Sequence, residues 1–329
     1  MTATGVHPNL DAWRLQFHQL LAKLDAAGIQ ATPENARQAL ADLTARYVAP
    51  GPELARVEDL ELSLPDRAVP LRFYQPQQHQ VEQTPTEPGQ SEKGNLTDLV
   101  LFVHGGGHMA GSVEVYDPIC RRLAQTSKQA VLSIEYRLAP EHPWPCGIDD
   151  VRAVMTHLPA LLDRLQLSLS DLNIHMIGDS GGGAMAATIC LQPDYDLSFE
   201  LQKLVLVYPS LDYRMETESV REFGDEYMLT ADRMRWYFDN YLQEQADPLS
   251  ISPLEMALPE SFPDTLIVNA GFDPLRDEAE LFKDKLVQGG FSAQLTCYDD
   301  MLHAFFNLES MVPEVCERAY CQIADFLTA

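Results

Sequence analysis

Short, almost uninterrupted apolar runs recur along the second two-thirds of the chain, separated by longer stretches of helical character. The runs at Asp98 to Val103, Ala130 to Glu135, Asn173 to Gly178, Leu204 to Tyr208, Thr265 to Ala270 and Ser292 to Tyr298 read as strands buried on both faces. Strands of this kind, alternating with helical segments, imply an α/β fold whose mainly parallel sheet is covered by helices on two sides. Ahead of them, Val57 to Tyr74 alternates as two strands about Pro65-Asp66-Arg67, a hairpin that brings the sheet to eight strands.

Before the hairpin, Asp11 to Ala26 carries Trp13, Phe17, Leu20, Leu21 and Leu24 at helical spacing, and a second helix starts at Thr32-Pro33, with Thr as cap and Pro at the first helical position. Gln75 to Thr97 is dominated by glutamine, proline, glutamate and serine and reads as a mobile surface loop. Ser210 to Ser250 is rich in aromatic and Met residues. The helix expected from Ala231 to Leu242, with Trp236, Tyr237, Phe238 and Tyr241, reads as ordinary packing, whereas Phe223, Tyr227 and Met228, which precede it, are the candidates for a pocket wall.

Four short segments add chemistry to this frame. They are His104-Gly105-Gly106-Gly107, Gly178-Asp179-Ser180-Gly181-Gly182, Asp273 in Gly271-Phe272-Asp273-Pro274, and His303 in Leu302-His303-Ala304-Phe305. A glycine-flanked serine between a buried strand and a helix forms a strained turn that exposes its hydroxyl, the nucleophile elbow GxSxG. That pentapeptide alone is weak evidence, but four features in order, each at the same end of a strand, point to a serine hydrolase. On such a scaffold the base follows the nucleophile in the chain. Of nine histidines only His303 does so.

Asp273 is the candidate acid because it falls just past the C-terminal end of the strand ending at Ala270, where ligand-facing groups collect. Asp277 and Glu278 fit the first turn of the following helix, where acids offset the dipole, Glu280 and Asp284 lie further along it, and Asp299 and Asp300 read as the turn that delivers His303. An oxyanion needs fixed N–H donors, here Gly181 with two from the Gly105 to Gly107 run. His104 reads as fixing that loop. Three glycines between His104 and His108 will not hold a helix and no Glu takes the zincin position, which sets a metal site aside.

These residues resemble those of the bacterial hormone-sensitive-lipase-like carboxylesterases, of the α/β-hydrolase fold. The resemblance runs from about residue 45 to the C-terminus and includes Tyr136-Arg137-Leu138-Ala139-Pro140-Glu141-His142-Pro143-Trp144-Pro145 and Asp273-Pro274-Leu275-Arg276-Asp277-Glu278. It implies a helical cap over the site: residues 1–50 as the N-terminal cap helices, 51–209 as the first part of the core with the loop at 75–97, 210–250 as the second cap segment and 251–329 as the rest of the core. It implies ester hydrolysis without a cofactor, Ser180, Asp273 and His303 as the triad, and Gly106, Gly107 and Gly181 as oxyanion donors. His108 stands where the family usually has an aromatic, and so belongs with the substrate pocket. Gly181 replaces the usual alanine and Ala304 the usual glycine, both small.

Composition bounds the rest. A chain of 329 residues holds one large α/β domain with a small accessory part. The six cysteines form no CxxC pair, so reduced thiols are expected, and a net charge of −26, from 23 basic and 49 acidic residues, argues against nucleic acid and anionic membrane partners. With no signal-like or ~18-residue apolar run, the expectation is a soluble cytoplasmic protein acting on a small-molecule ester, with a homo-oligomer left open. A noncatalytic ligand-binding protein on the same scaffold and an acyltransferase are the competing readings.

Overall fold

The computed structural model describes residues 5–77, 96–193, 197–243 and 246–329. Positions 78–95, most of the expected surface loop, lie outside the described residues. Eight strands form one sheet: β1 (Arg56–Ser63), β2 (Ala68–Gln75), β3 (Asp98–Val103), β4 (Ala130–Ile134), β5 (Asn173–Asp179), β6 (Leu201–Val207), β7 (Asp264–Phe272) and β8 (Ala293–Leu302), in the spatial order β1-β2-β4-β3-β5-β6-β7-β8. β1 and β2 pair antiparallel, as do β2 and β4, and every pairing from β4 to β8 is parallel.

The helices are α1 (Pro8–Ala26), α2 (Pro33–Tyr47), α3 (Val113–Ser127), α4 (Cys146–Thr156), α5 (Leu158–Leu165), α6 (Gly181–Leu191), α7 (Glu218–Phe223), α8 (Ala231–Leu242), α9 (Pro248–Ile251), α10 (Arg276–Gln288) and α11 (Pro313–Thr328). Strand alternation sorts the core into two layers. Leu99, Leu101 and Val103 of β3 pack with Ile148, Leu161, Met185 and Phe282 of α4, α5, α6 and α10. Val100 and Phe102 face the other way, toward Ile119 and Leu123 of α3 and Ile323 and Leu327 of α11. A sheet buried on both faces accounts for the continuous apolar runs.

Thr32 caps α2 as expected, in a capping box with Asn35. α1 departs from its predicted face at Leu20, which is 52% exposed, while Leu10 and Trp13 supply the buried contacts. The C-terminal end of β8 also departs from expectation. Asp299 and Asp300 continue the strand instead of turning, because an irregularity between Ala270 and Phe272 of β7 restores the pairing and brings Phe272 opposite Leu302. His303 is therefore delivered directly by a strand end. Among the described residues no helix is long and apolar enough to cross a membrane.

Candidate active site

Ser180 occupies the single residue between β5 and α6, at φ 51° and ψ −114°, a conformation disfavoured for any residue with a side chain. The turn is possible because its neighbours lack side chains: a Cβ on Gly178 would stand 2.5 Å from Gly182 O, and one on Gly182 would stand 2.2 Å from Val103 O. The strain is held from both sides, with Ser180 N–H donating to Val207 O at 2.9 Å and Ser210 N–H donating to Ser180 O at 3.2 Å.

The three residues assigned by order and position meet. Ser180 Oγ lies 3.0 Å from His303 Nε2, and His303 Nδ1 lies 2.7 Å from Asp273 Oδ2. Asp273 is completely buried, and its Oδ1 accepts the Leu275 N–H at 2.9 Å, which fixes the carboxylate plane. A carboxylate at Nδ1 sets the tautomer that leaves Nε2 free to accept the serine proton.

The glycine loop folds beside the elbow. Gly106 and Gly107 take φ of 121° and 61°, and Met109 and Ala110 donate their N–H groups to Gly106 O at 3.2 and 2.9 Å. Among the described residues the Gly106 and Gly107 N–H groups have no intramolecular acceptor. A Cβ on Gly181 would lie 3.3 Å from Gly107 N, so the loop amides and the elbow amide approach one another.

His104 is sealed between Tyr116 and Tyr136, with ring centroids 5.6 and 4.3 Å away. Burial pushes its pKa down to about 4, so the ring is neutral and its Nδ1–H donates to Gly105 O at 2.9 Å. His108 is buried. Its φ of 63° turns the side chain into the protein, where it stacks on Tyr241 at 3.8 Å with Nε2 3.2 Å from Tyr213 Oη, and burial drives its pKa down to about 3. The two histidines thus stand in different aromatic stacks.

Of the other pocket candidates, Phe223 is buried in edge contact with Tyr227 and with Phe272, the residue before Asp273. Tyr227 and Met228 are half-buried beside it. Their loop is gripped from α1, where Arg14 donates to Glu226 O at 2.9 Å and His18 Nε2 lies 2.8 Å from Tyr227 O. A residue read from sequence as packing stands at the glycine loop. The Tyr237 ring of α8 lies against Gly107, so that a Cβ there would meet its Cγ at 2.6 Å. A cavity of about 750 Å³ lined by Arg37, Glu135, Arg137 and Glu141 includes none of the three residues of the relay.

Two buried acids escaped the sequence reading in part. Glu278 sits in the first turn of α10 as expected, but its Oε2 reaches away from the helix to accept the N–H groups of Leu211 and Asp212 at 2.6 and 2.9 Å. Burial pushes this carboxyl well above its usual range. Asp179, the residue before Ser180, is held by two tyrosine hydroxyls. The one signal for it was an acid at the very end of a mostly apolar strand.

Comparison with known proteins gives the family. A family model for the alpha/beta hydrolase fold matches residues 100–307. The carboxylic ester hydrolase LipN of Mycobacterium tuberculosis is 33% identical over 272 residues, covering 79% of this chain and 67% of its own. The gibberellin receptor GID1A of Arabidopsis thaliana is 30% identical over 255 residues, covering 74% of each chain. Among solved structures, a hyperthermophilic esterase from the archaeon Pyrobaculum calidifontis superimposes with a TM-score of 0.79 at 30% identity, covering 98% of this chain and 97% of the other. With its fold, sheet order and sequence likeness in agreement, the chain belongs to the hormone-sensitive-lipase-like carboxylesterases of the α/β-hydrolase fold.

Proposed function

We propose that this protein is a serine carboxylesterase that cleaves short- to medium-chain carboxylic esters through an acyl-enzyme intermediate. The observation that carries the reading is the unbroken relay from Ser180 Oγ to His303 Nε2 at 3.0 Å and from His303 Nδ1 to Asp273 Oδ2 at 2.7 Å. His303 removes the serine proton as Oγ attacks the ester carbonyl carbon. The resulting oxyanion accepts hydrogen bonds from the N–H groups of Gly106, Gly107 and Gly181. Collapse expels the alcohol, which takes the proton from His303. Water then adds to the acyl-enzyme by the same route, while Asp273 offsets the imidazolium charge in both halves.

Residues 1–50 and 210–250 act as the two parts of a cap, and Tyr227, Met228 and Tyr237 frame the pocket they enclose, with Phe223 supporting it from behind. Aromatic walls make that pocket apolar and bounded, which favours short acyl groups over long ones. All six cysteines are free thiols, in keeping with a reducing, cytoplasmic location. A ligand-binding protein, such as the receptor among the relatives is named to be, would have no need of a histidine held at both ring nitrogens. Incubation with a chromogenic butyryl ester and a serine-directed phosphonate tests the proposal. Turnover with one phosphonyl group per chain, on Ser180, is expected, whereas neither turnover nor labelling would leave the binding reading in its place.

A further inference from the structure

The residue before the nucleophile is an acid enclosed by the protein. Asp179 closes β5 with 3% of its surface exposed, and its two oxygens are separately engaged. Tyr116 Oη donates to Oδ1 at 3.1 Å and Tyr208 Oη to Oδ2 at 2.8 Å. Burial raises the carboxyl to about 6, against the opposing pull of the two hydroxyls and of His303, which leaves it mostly ionised at pH 7.

Each contact leads to a different part of the site. Tyr208, at φ 34° just past β6, stands edge-on to the His303 ring with centroids 5.0 Å apart. Tyr116 belongs to α3, the helix that follows the glycine loop, and its ring stacks on His104. Gly105 rests directly on the carboxylate: a Cβ there would lie 1.9 Å from Asp179 Oδ1, so the first glycine of the loop makes room for this acid.

We propose, building on the esterase reading, that Asp179 is a positioning residue whose ionised carboxylate holds Tyr208 against His303, seats the oxyanion loop at Gly105 and favours the imidazolium formed during the reaction. The groups facing His303 are Ser180 and Asp273 at its two nitrogens, Tyr208 at its ring and Asp179 behind Tyr208. Those facing Asp179 are Tyr116 from α3, Tyr208 and His303. Tyr136, Tyr320 of α11 and Cys120 of α3 stand further off and stay neutral, since burial pushes each of them upward.

The test is Asp179→Asn, which keeps the shape and removes the charge, assayed on a butyryl ester across pH 5 to 9. Expected are a fall in kcat of about tenfold or more with KM within about twofold, and an acid limb of kcat/KM displaced to lower pH by about half a unit or more, because loss of a nearby negative charge makes His303 easier to deprotonate. A kcat at or above the wild-type value would mean that the charge is idle or opposes the oxyanion, and overturns the proposal. So does a fall in kcat with an unmoved acid limb. If the Asn variant does not fold, Tyr208→Phe removes one hydroxyl bond and weakens ionisation of Asp179. A lower kcat with the limb displaced the same way is then expected, and wild-type behaviour overturns the proposal. Inactive, unlabelled wild-type protein would fail the esterase reading itself, whereas active wild type with an unaltered variant fails only this inference.

Discussion

The Tyr237 ring covers Gly107 so closely that a methyl group on the glycine would penetrate it, with 2.6 Å to Cγ. One side chain of α8 therefore limits the space beside the glycine loop. Tyr237→Ala should extend the chain length accepted on one side of the ester by two or more carbons, at ~0.8 kcal/mol for each methylene newly buried. Two ester series, one varied in the acyl chain and one in the alcohol, measure it. An unchanged optimum in both would remove Tyr237 from the pocket wall. In the wild type, kcat/KM should peak at short to medium length, and long-chain triglyceride emulsions should be poor substrates.

Ser180→Ala should lower turnover by on the order of 10⁶ if the relay acts as a unit, and leave the thermal midpoint close to that of the wild type. Steady-state assay and a melting curve suffice. A variant with about a tenth of the wild-type activity would remove Ser180 as nucleophile.

The buried His108 makes a prediction about acid stability. Its pKa is about 3 in the folded protein against ~6.5 for a free imidazole, so below pH 6.5 the unfolded chain binds a proton that the folded chain refuses. Its contribution is complete above pH 6.5 and is lost as pH falls toward 3. Between pH 7.5 and 5 that loss is about 2 kcal/mol. His108→Phe keeps a ring beside Tyr241 and should lose about that much less stability over the interval, as read from denaturant midpoints at the two pH values. Equal losses in the two proteins would contradict the buried, neutral ring.

Glu278 separates a charge from a shape. Because burial pushes its carboxyl well above the usual range, toward the neutral acid, and Oε2 accepts two backbone N–H groups, Glu278→Gln supplies the same acceptor and should change stability little. Glu278→Ala leaves the Leu211 and Asp212 amides buried without a partner and should destabilise by roughly 2 to 4 kcal/mol. Chemical denaturation of both variants checks this, and a Gln variant as unstable as the Ala variant would show that the charge matters.

That Ser180, His303 and Asp273 would come together was legible in the sequence because each is tied to a local cause: a glycine-flanked turn, chain order, a strand end. The strands were legible because a sheet covered on both faces requires continuous apolar runs. What eluded sequence reading depends on where a side chain points once distant segments pack. His108 follows the loop glycines like a pocket residue, yet its positive φ sends the ring inward to Tyr241. Tyr237 shares a helix with the core aromatics Phe238 and Tyr241 but faces Gly107. Asp299 and Asp300 look like a turn, since nothing in their own residues reveals the irregularity opposite them in β7.

Arg37 of α2 donates to Met109 O and Ala139 O, each at 2.9 Å, and its Nη1 meets Glu141 at 2.9 Å. A single guanidinium thus welds the second helix to the segment behind the glycine loop, whereas α1 holds the 226–227 stretch chiefly through Arg14 and His18. The two front helices are consequently not one exchangeable module. In a chimera between relatives, α1 must travel with residues 226–228 and α2 with the Ala139 to Glu141 loop, or the graft will strand a cation against two carbonyls it no longer fits.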